Sequence, residues 1–186
     1  MALVAEQLWD GIAPGRRQLL LRDDTPIPPP SPPAPQDFYG LLAKDLSPNP
    51  DMLAAALHQQ LMGPVVLDLP SNRGKTLRLY AHCALDATPG SVAVLALNLA
   101  GNAQAVALGN SWQVAPRTEF VLTAPGLASH QVELNGRETN PTPQMLAPDT
   151  LRAFGRNVST ATAWSLPPRS VAFAILHAAD AKACRR

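Results

Sequence analysis

The sequence predicts a mainly β fold, an antiparallel β-sandwich preceded by one α-helix. Three observations lead there. Leu77 to Cys83 alternates apolar with polar or amphipathic residues at a period of two, the mark of a strand with one face on a core. Asn135-Gly136 sits between two strand-like runs, and that dipeptide favours a two-residue hairpin turn. A helical spacing of leucines at 53, 57 and 61 stands ahead of the strands. A chain of 186 residues is long enough for one domain with a real core and some tail.

Residues 1–37 read differently from the rest. From Pro26 to Pro35, seven of ten residues are proline, which forbids helix and sheet interior and favours an extended spacer. We expect a Pro-rich, disordered segment there, then residues 38–63 as an entry segment with a helix, then residues 64–186 as the sandwich. The helix should start at Asn49 as N-cap, with Pro50 in its first turn and Asp51 complementing the dipole. Gly63-Pro64 should end it. Val65-Val66-Leu67 is a short apolar run. In the next strand Cys83 shares a face with Leu77, Leu79 and Ala81 and should point into the core. Ser91–Leu99 is apolar on both faces, as a central strand is, and Ser170–Ala178 reads as a last buried strand. Further strands are expected at 104–108, around Phe120 and Leu122, and at 131–134, with 139–149 as a loop.

The chain holds two cysteines, Cys83 and Cys184. A bond between them would close a loop of about 100 residues, worth roughly 4–5 kcal/mol in the chain-entropy model. Two free thiols in a reducing compartment are the alternative. The N-terminus has no basic lead-in and only a short apolar run, so no signal peptide is visible, and no stretch is long enough for a transmembrane helix.

The composition excludes several functions. A net charge of +1 gives no general attraction to nucleic acid. Aromatic residues are 5% of the chain, too few for generous sugar-stacking platforms. Histidines at 58, 82, 130 and 177 are scattered, so no metal site is expected, and no cofactor motif is present. The glutamates are Glu6, Glu119, Glu133 and Glu138, and the strand pattern places Glu119 and Glu133 on solvated sides. No pair among them reads as the two carboxyls of a glycosidase. Arg73, Lys75 and Arg78 form a small basic cluster that could touch an acidic polysaccharide. Asn157-Val158-Ser159 is an N-glycosylation sequon.

From Tyr39 to Cys184 the chain resembles the C-terminal part of the heparanase-like proteins, glycoside hydrolase family 79. Tyr39-Gly40-Leu41-Leu42 is similar to the family's YGLL segment at the barrel exit. Pro48-Asn49-Pro50-Asp51 and the stretch Leu57 to Gly63 resemble its PNPDYY…ALLWHRLMG helix. Pro64 to Leu67 resembles PTVLD, Tyr80 to Cys83 resembles YxHC, and Val94 to Leu99 resembles LLMNL. Leu122-Thr123-Ala124 with Leu134-Asn135-Gly136, then Ser170 to Phe173, then Ala181 to Cys184 resemble LTA…LLNG, SIVF and the terminal AxC. Each match is weak alone; their order and both cysteines in register make the resemblance specific.

The resemblance implies that Cys83 and Cys184 form the family's disulfide and that the sandwich packs beside a (β/α)8 catalytic barrel. It implies a retaining β-glucuronidase or heparanase activity for the whole enzyme, on uronic-acid glycans or glucuronides. It implies an extracellular, lysosomal, vacuolar or membrane-associated setting. Tyr39 matches the family's tyrosine that contacts the substrate carboxylate, although Asp37-Phe38 replaces the Gly-Asn before it. The family's catalytic glutamates lie in the barrel, and no glutamate of this chain matches them. The basic cluster is also thinner than that of animal heparanases. The expectation is a sandwich inactive alone; the alternative is a non-catalytic polysaccharide-binding or accessory structural module.

Overall fold

The computed structural model describes residues 41, 48–69, 75–85, 87–113, 115–126, 129, 131–139, 142, 144–159 and 163–185. The Pro-rich segment, Tyr39, Arg73 and His130 lie outside the described residues. Helix α1 (Pro50–Leu61) leads into β1 (Met62–Leu67), β2 (Leu77–Ala84), β3 (Val92–Asn98) and β4 (Gln104–Val106). A single helical turn, α2 (Asn110–Gln113), precedes β5 (Arg117–Thr123), β6 (Val132–Leu134) and β7 (Arg137–Thr139). Helix α3 (Pro148–Ala153), β8 (Arg156–Val158), β9 (Trp164–Leu166) and β10 (Ser170–Leu176) follow, and a 3-10 turn at Lys182–Cys184 closes the chain.

Eight strands form one antiparallel sheet in the order β1-β2-β3-β10-β5-β6-β7, with β8 also paired to β5. β4 and β9 pair antiparallel as a second, two-stranded sheet. The result is a mainly β, lopsided sandwich: a wide sheet whose two faces are covered by different things. The expected fold class holds, and the asymmetry between layers is what the strand pattern did not reveal.

Strand periodicity sorts the core into two halves. On one face Tyr80, Leu95, Leu97, Phe120, Leu122 and Phe173 pack under Leu53, Leu57 and Leu61 of α1 and Leu151 of α3. On the other face Leu79, Ala81, Val94, Ala96, Ala172 and Ala174 pack under Val106, Trp164 and Leu166 of the small sheet. The central strands β3 and β10 are buried at every position, which explains why they are apolar except for the paired ends Asn98 and Ser170. Small alanines on the second face let the β4–β9 layer approach; the larger side chains on the first face fill the space below the helices.

Helix α1 departs from its expected ends. Asn49 occupies the N-cap position, but its side chain makes no capping hydrogen bond. The helix stops at Leu61, and Met62 is already extended, so the chain passes straight into β1. Gly63 therefore does not terminate the helix through a left-handed turn. It lets β1 lie close against β2: a Cβ there would stand 2.5 Å from the carbonyl oxygen of Cys83. The expected loop at 139–149 contains the start of α3, where Pro148 and Asp149 occupy the first turn.

Asparagine side chains fasten the layers. Asn98, fully buried, donates through Nδ2 to the carbonyls of Asn102 at 2.9 Å and Pro167 at 2.7 Å, and accepts from the Ala100 N–H at 2.9 Å. This joins the end of β3 to the small sheet. Asn135 and Gly136 both adopt positive φ, 52° and 72°, as the hairpin turn between β6 and β7 requires. Asn135 also accepts from the Val121 N–H at 2.9 Å and donates to the carbonyls of Glu119 at 2.8 Å and Phe154 at 2.7 Å. One side chain thus holds β5, the hairpin and the end of α3 together.

Candidate functional site

Cys83 at the end of β2 and Cys184 in the last turn are joined by a disulfide that spans 101 residues. Around it, the Gly90 N–H donates to the Cys184 carbonyl at 2.7 Å and the Ala181 N–H to the Gly90 carbonyl at 3.0 Å. The exposed Asp180–Arg185 ion pair adds little at the surface. The C-terminal segment is therefore fixed covalently and by backbone bonds to the β2–β3 end of the wide sheet.

Glu119 is not the solvated strand residue expected from its alternation. Its side chain is 3% exposed. Arg117 Nε donates to Oε1 at 2.7 Å, and Arg156 Nη2 donates to Oε2 at 2.5 Å. Arg117 stands two residues away on the same strand, hence on the same face, and is equally buried. β8 pairs Arg156 directly opposite Glu119 and supplies the second guanidinium from a 62% exposed position. A period-two pattern identifies a face but not the neighbouring strand, so the pairing of β8 beside β5 was needed to see this. The two arginines flanking Glu119 were visible in sequence only as separate charges.

Glu133 and Glu138 sit opposite one another across the β6–β7 ladder, and both are exposed. They lie at the edge of the sheet, and neither is buried as a carboxyl enclosed around a sugar would be. A retaining glycosidase needs two carboxyls about 5–5.5 Å apart, flanking one bound sugar and differing in environment. Glu119 has both oxygens engaged by guanidinium groups, which makes it a structural counter-ion. Among the described residues no cluster of His, Cys, Asp and Glu could hold a metal ion.

The histidines separate into two environments. His82 is buried on β2, its Nδ1–H donating to the Gly63 carbonyl at 2.5 Å, with the His58 ring edge-on at 5.9 Å. Burial pushes its pKa below the usual 6.5, against a smaller opposing effect of the Gly63 hydrogen bond. Below pH 6.5 the unfolded chain takes up a proton that the folded chain resists, so stability falls with pH until the folded pKa is passed. Urea midpoints measured from about pH 8 to about pH 5 should decline for the wild type and decline less for His82→Gln. Equal slopes for the two proteins would remove His82 as the cause. Asp51 is pushed the other way, upward from 3.8, because desolvation outweighs the backbone hydrogen bonds from its own N–H and that of Met52. The folded chain therefore holds the Asp51 proton to higher pH than the unfolded chain does, so this group's contribution to stability falls as pH rises above 3.8.

His177 is exposed and meets Thr118, which also bonds Asn157. Thr118 Oγ1 donates to Asn157 Oδ1 at 2.8 Å and, with its one proton so used, accepts from His177 Nε2–H at 2.8 Å. Of the expected basic cluster, Lys75 is exposed and Arg78 half-buried on β2. Tyr80, Phe120, Phe173 and Trp164 are buried, while Trp112 and Phe154 are half-buried. No aromatic residue among those described is exposed as a sugar platform. No described helix is long and apolar enough to cross a membrane.

The fold and these residues define a disulfide-stapled, mainly β domain in which two arginines engage Glu119 while Glu133 and Glu138 are exposed. No family model matches the chain. It is similar to Heparanase-like protein 1 of Arabidopsis thaliana, with 28% identity over 179 residues, covering 79% of this chain and 33% of that protein. The chain thus spans about a third of the length of this curated relative. Among solved structures, a glycoside hydrolase family 30 subfamily 8 xylanase from Clostridium acetobutylicum matches with TM-score 0.44 and 18% identity, covering 74% of this chain and 30% of that one. A conserved exported protein from Bacteroides fragilis matches with TM-score 0.29 and 16% identity, over 54% of this chain and 14% of that one.

Proposed function

We propose that this chain supplies the non-catalytic β-sandwich of a heparanase-like glycoside hydrolase of family 79, seated beside a (β/α)8 barrel that carries the catalytic glutamates. The whole enzyme would cleave β-glucuronosyl linkages in glycans or glucuronides by a retaining mechanism. The observation that carries this reading is the similarity to Heparanase-like protein 1 over 79% of the chain, and among the described glutamates Glu119 is engaged by two arginines while Glu133 and Glu138 are exposed. Two further features support it. The disulfide ties the end of β2 to the C-terminus, so the sandwich is a covalently closed scaffold. Val65 and Val66, 45% and 48% exposed, leave an apolar patch on the edge strand β1 that suits contact with a neighbouring unit.

In this reading the sandwich contributes rigidity and a docking surface, and the chemistry belongs to the barrel. Tyr39 would stand at the junction and meet the uronate carboxylate of the substrate. A chimera tests the proposal. The segment of Heparanase-like protein 1 that aligns with this chain is replaced by the chain itself, and hydrolysis of an aryl β-glucuronide is followed. The expected result is a soluble chimera that turns over, with a raised KM for Tyr39→Phe. A chimera that folds cooperatively and leaves the glucuronide intact would overturn the assignment.

A further inference from the structure

We propose that Asn157 is an N-glycosylated residue and that its glycan stands over the open edge of β8. The sequon Asn157-Val158-Ser159 has the acceptor amide and the hydroxyl two residues on, with no proline between. No other Asn in the sequence meets this rule: Asn140 is followed by Pro141 before Thr142, which blocks transfer. The structure adds three observations to the motif. Asn157 and Ser159 are both exposed; Asn157 lies on the three-residue strand β8, which pairs with β5 and with no other strand among the described residues, and Ser159 follows directly after it.

The amide of Asn157 is held in a useful orientation. Its register partner on β5 is Thr118, whose hydroxyl donates to Oδ1 at 2.8 Å and is itself fixed by His177. Among the described residues Nδ2 has no protein partner. A glycan attached at Nδ2 keeps Oδ1 as an acceptor, so the Thr118 bond survives the modification. The disulfide between Cys83 and Cys184 supplies the compartment: disulfides persist where the environment is oxidising, which includes the lumen where N-glycans are transferred.

The covalent step uses a lipid-pyrophosphate-linked oligosaccharide as co-reactant. Nδ2 attacks the anomeric carbon of the reducing-end sugar, and a C–N bond forms. The C–O bond to pyrophosphate breaks, the lipid pyrophosphate leaves with the electron pair, and one amide proton is lost. The modification places a bulky, solubilising group at an edge strand, where unpaired backbone groups otherwise invite association. This inference does not depend on the glycosidase reading.

The test is export of the full chain through a eukaryotic secretory pathway behind a cleavable leader, followed by peptide N-glycosidase digestion of the disulfide-bonded product. The expected result is one discrete downward mobility shift, with peptide mass showing conversion of Asn157 to aspartate. Asn157→Gln and Ser159→Ala should each abolish the shift, and Ser159→Thr should retain it. Because Asn157 is the sole sequon, either loss should remove all N-linked sugar. Recovery of secreted, disulfide-bonded chain with unmodified Asn157 would overturn the proposal, as would a shift that persists in Asn157→Gln.

Discussion

Replacing both cysteines, Cys83→Ala with Cys184→Ala, should lower the stability of the domain by about 4–5 kcal/mol. The crosslink spans 101 residues, so its removal releases a very large loop in the unfolded chain. The folded chain changes little by comparison. Cys184 remains placed by its carbonyl bond from Gly90 and by the 3-10 turn at Lys182–Cys184. At about 2–4 °C per kcal/mol for a chain of this size, the melting temperature should fall by roughly 10–20 °C. Alanine is preferred to serine because Cys184 is buried and a hydroxyl there would need a partner. Calorimetry of the oxidised wild type against the double variant reads the effect. A difference below about 1 kcal/mol would mean that the unfolded chain is not appreciably restricted by the bond.

Glu119→Ala is the second large effect, about 3–5 kcal/mol. It removes the carboxylate that balances the buried Arg117 guanidinium and receives Arg156 from β8. Breaking one side of a buried pair costs more than removing the pair, since a charge is left in a poorly solvated place. The double variant Arg117→Leu with Glu119→Leu should therefore lose less than Glu119→Ala alone. Denaturant midpoints of the three variants form the comparison. If the double variant is the less stable, the ion pair contributes a net attraction greater than its desolvation cost. If Glu119→Ala is neutral, the burial of Arg117 is balanced elsewhere.

Much of the fold was legible because strand alternation and glycine chemistry act locally. The Asn135-Gly136 turn needed only two residues able to adopt positive φ, and both do. The apolar run of β3 marked a central strand and that of β10 a buried one, since both faces of each meet a layer. What alternation could not declare was the partner above each face. Leu77, Leu79, Ala81 and Cys83 share a core-facing side as expected, and the layer over it is the small sheet, yet Tyr80 and His82 on the opposite side are also buried, under α1. Glu119 was misread for the same reason: β8 arrives from 37 residues further along, and only tertiary pairing brings Arg156 to it. The role of Gly63 was misplaced because close strand approach and helix termination both call for glycine.

The site was less legible than the fold. Carboxylates can be counted in a sequence, and here the count argued against catalysis, but their surroundings could not be read. Glu133 and Glu138 face each other only because a two-residue turn fixes the β6–β7 register. The Thr118–Asn157–His177 cluster likewise draws on three separate segments, joined by β5 pairing with both β8 and β10.

In the proposed reading this chain is a stapled scaffold whose own glutamates perform no glycosidic chemistry. The most direct measurement is hydrolysis of an aryl β-glucuronide by the purified, oxidised full chain, beside its Glu119→Gln, Glu133→Gln and Glu138→Gln variants. No turnover above the uncatalysed rate is expected for any of the four proteins. Turnover by the wild type that disappears in Glu133→Gln or Glu138→Gln would contradict it.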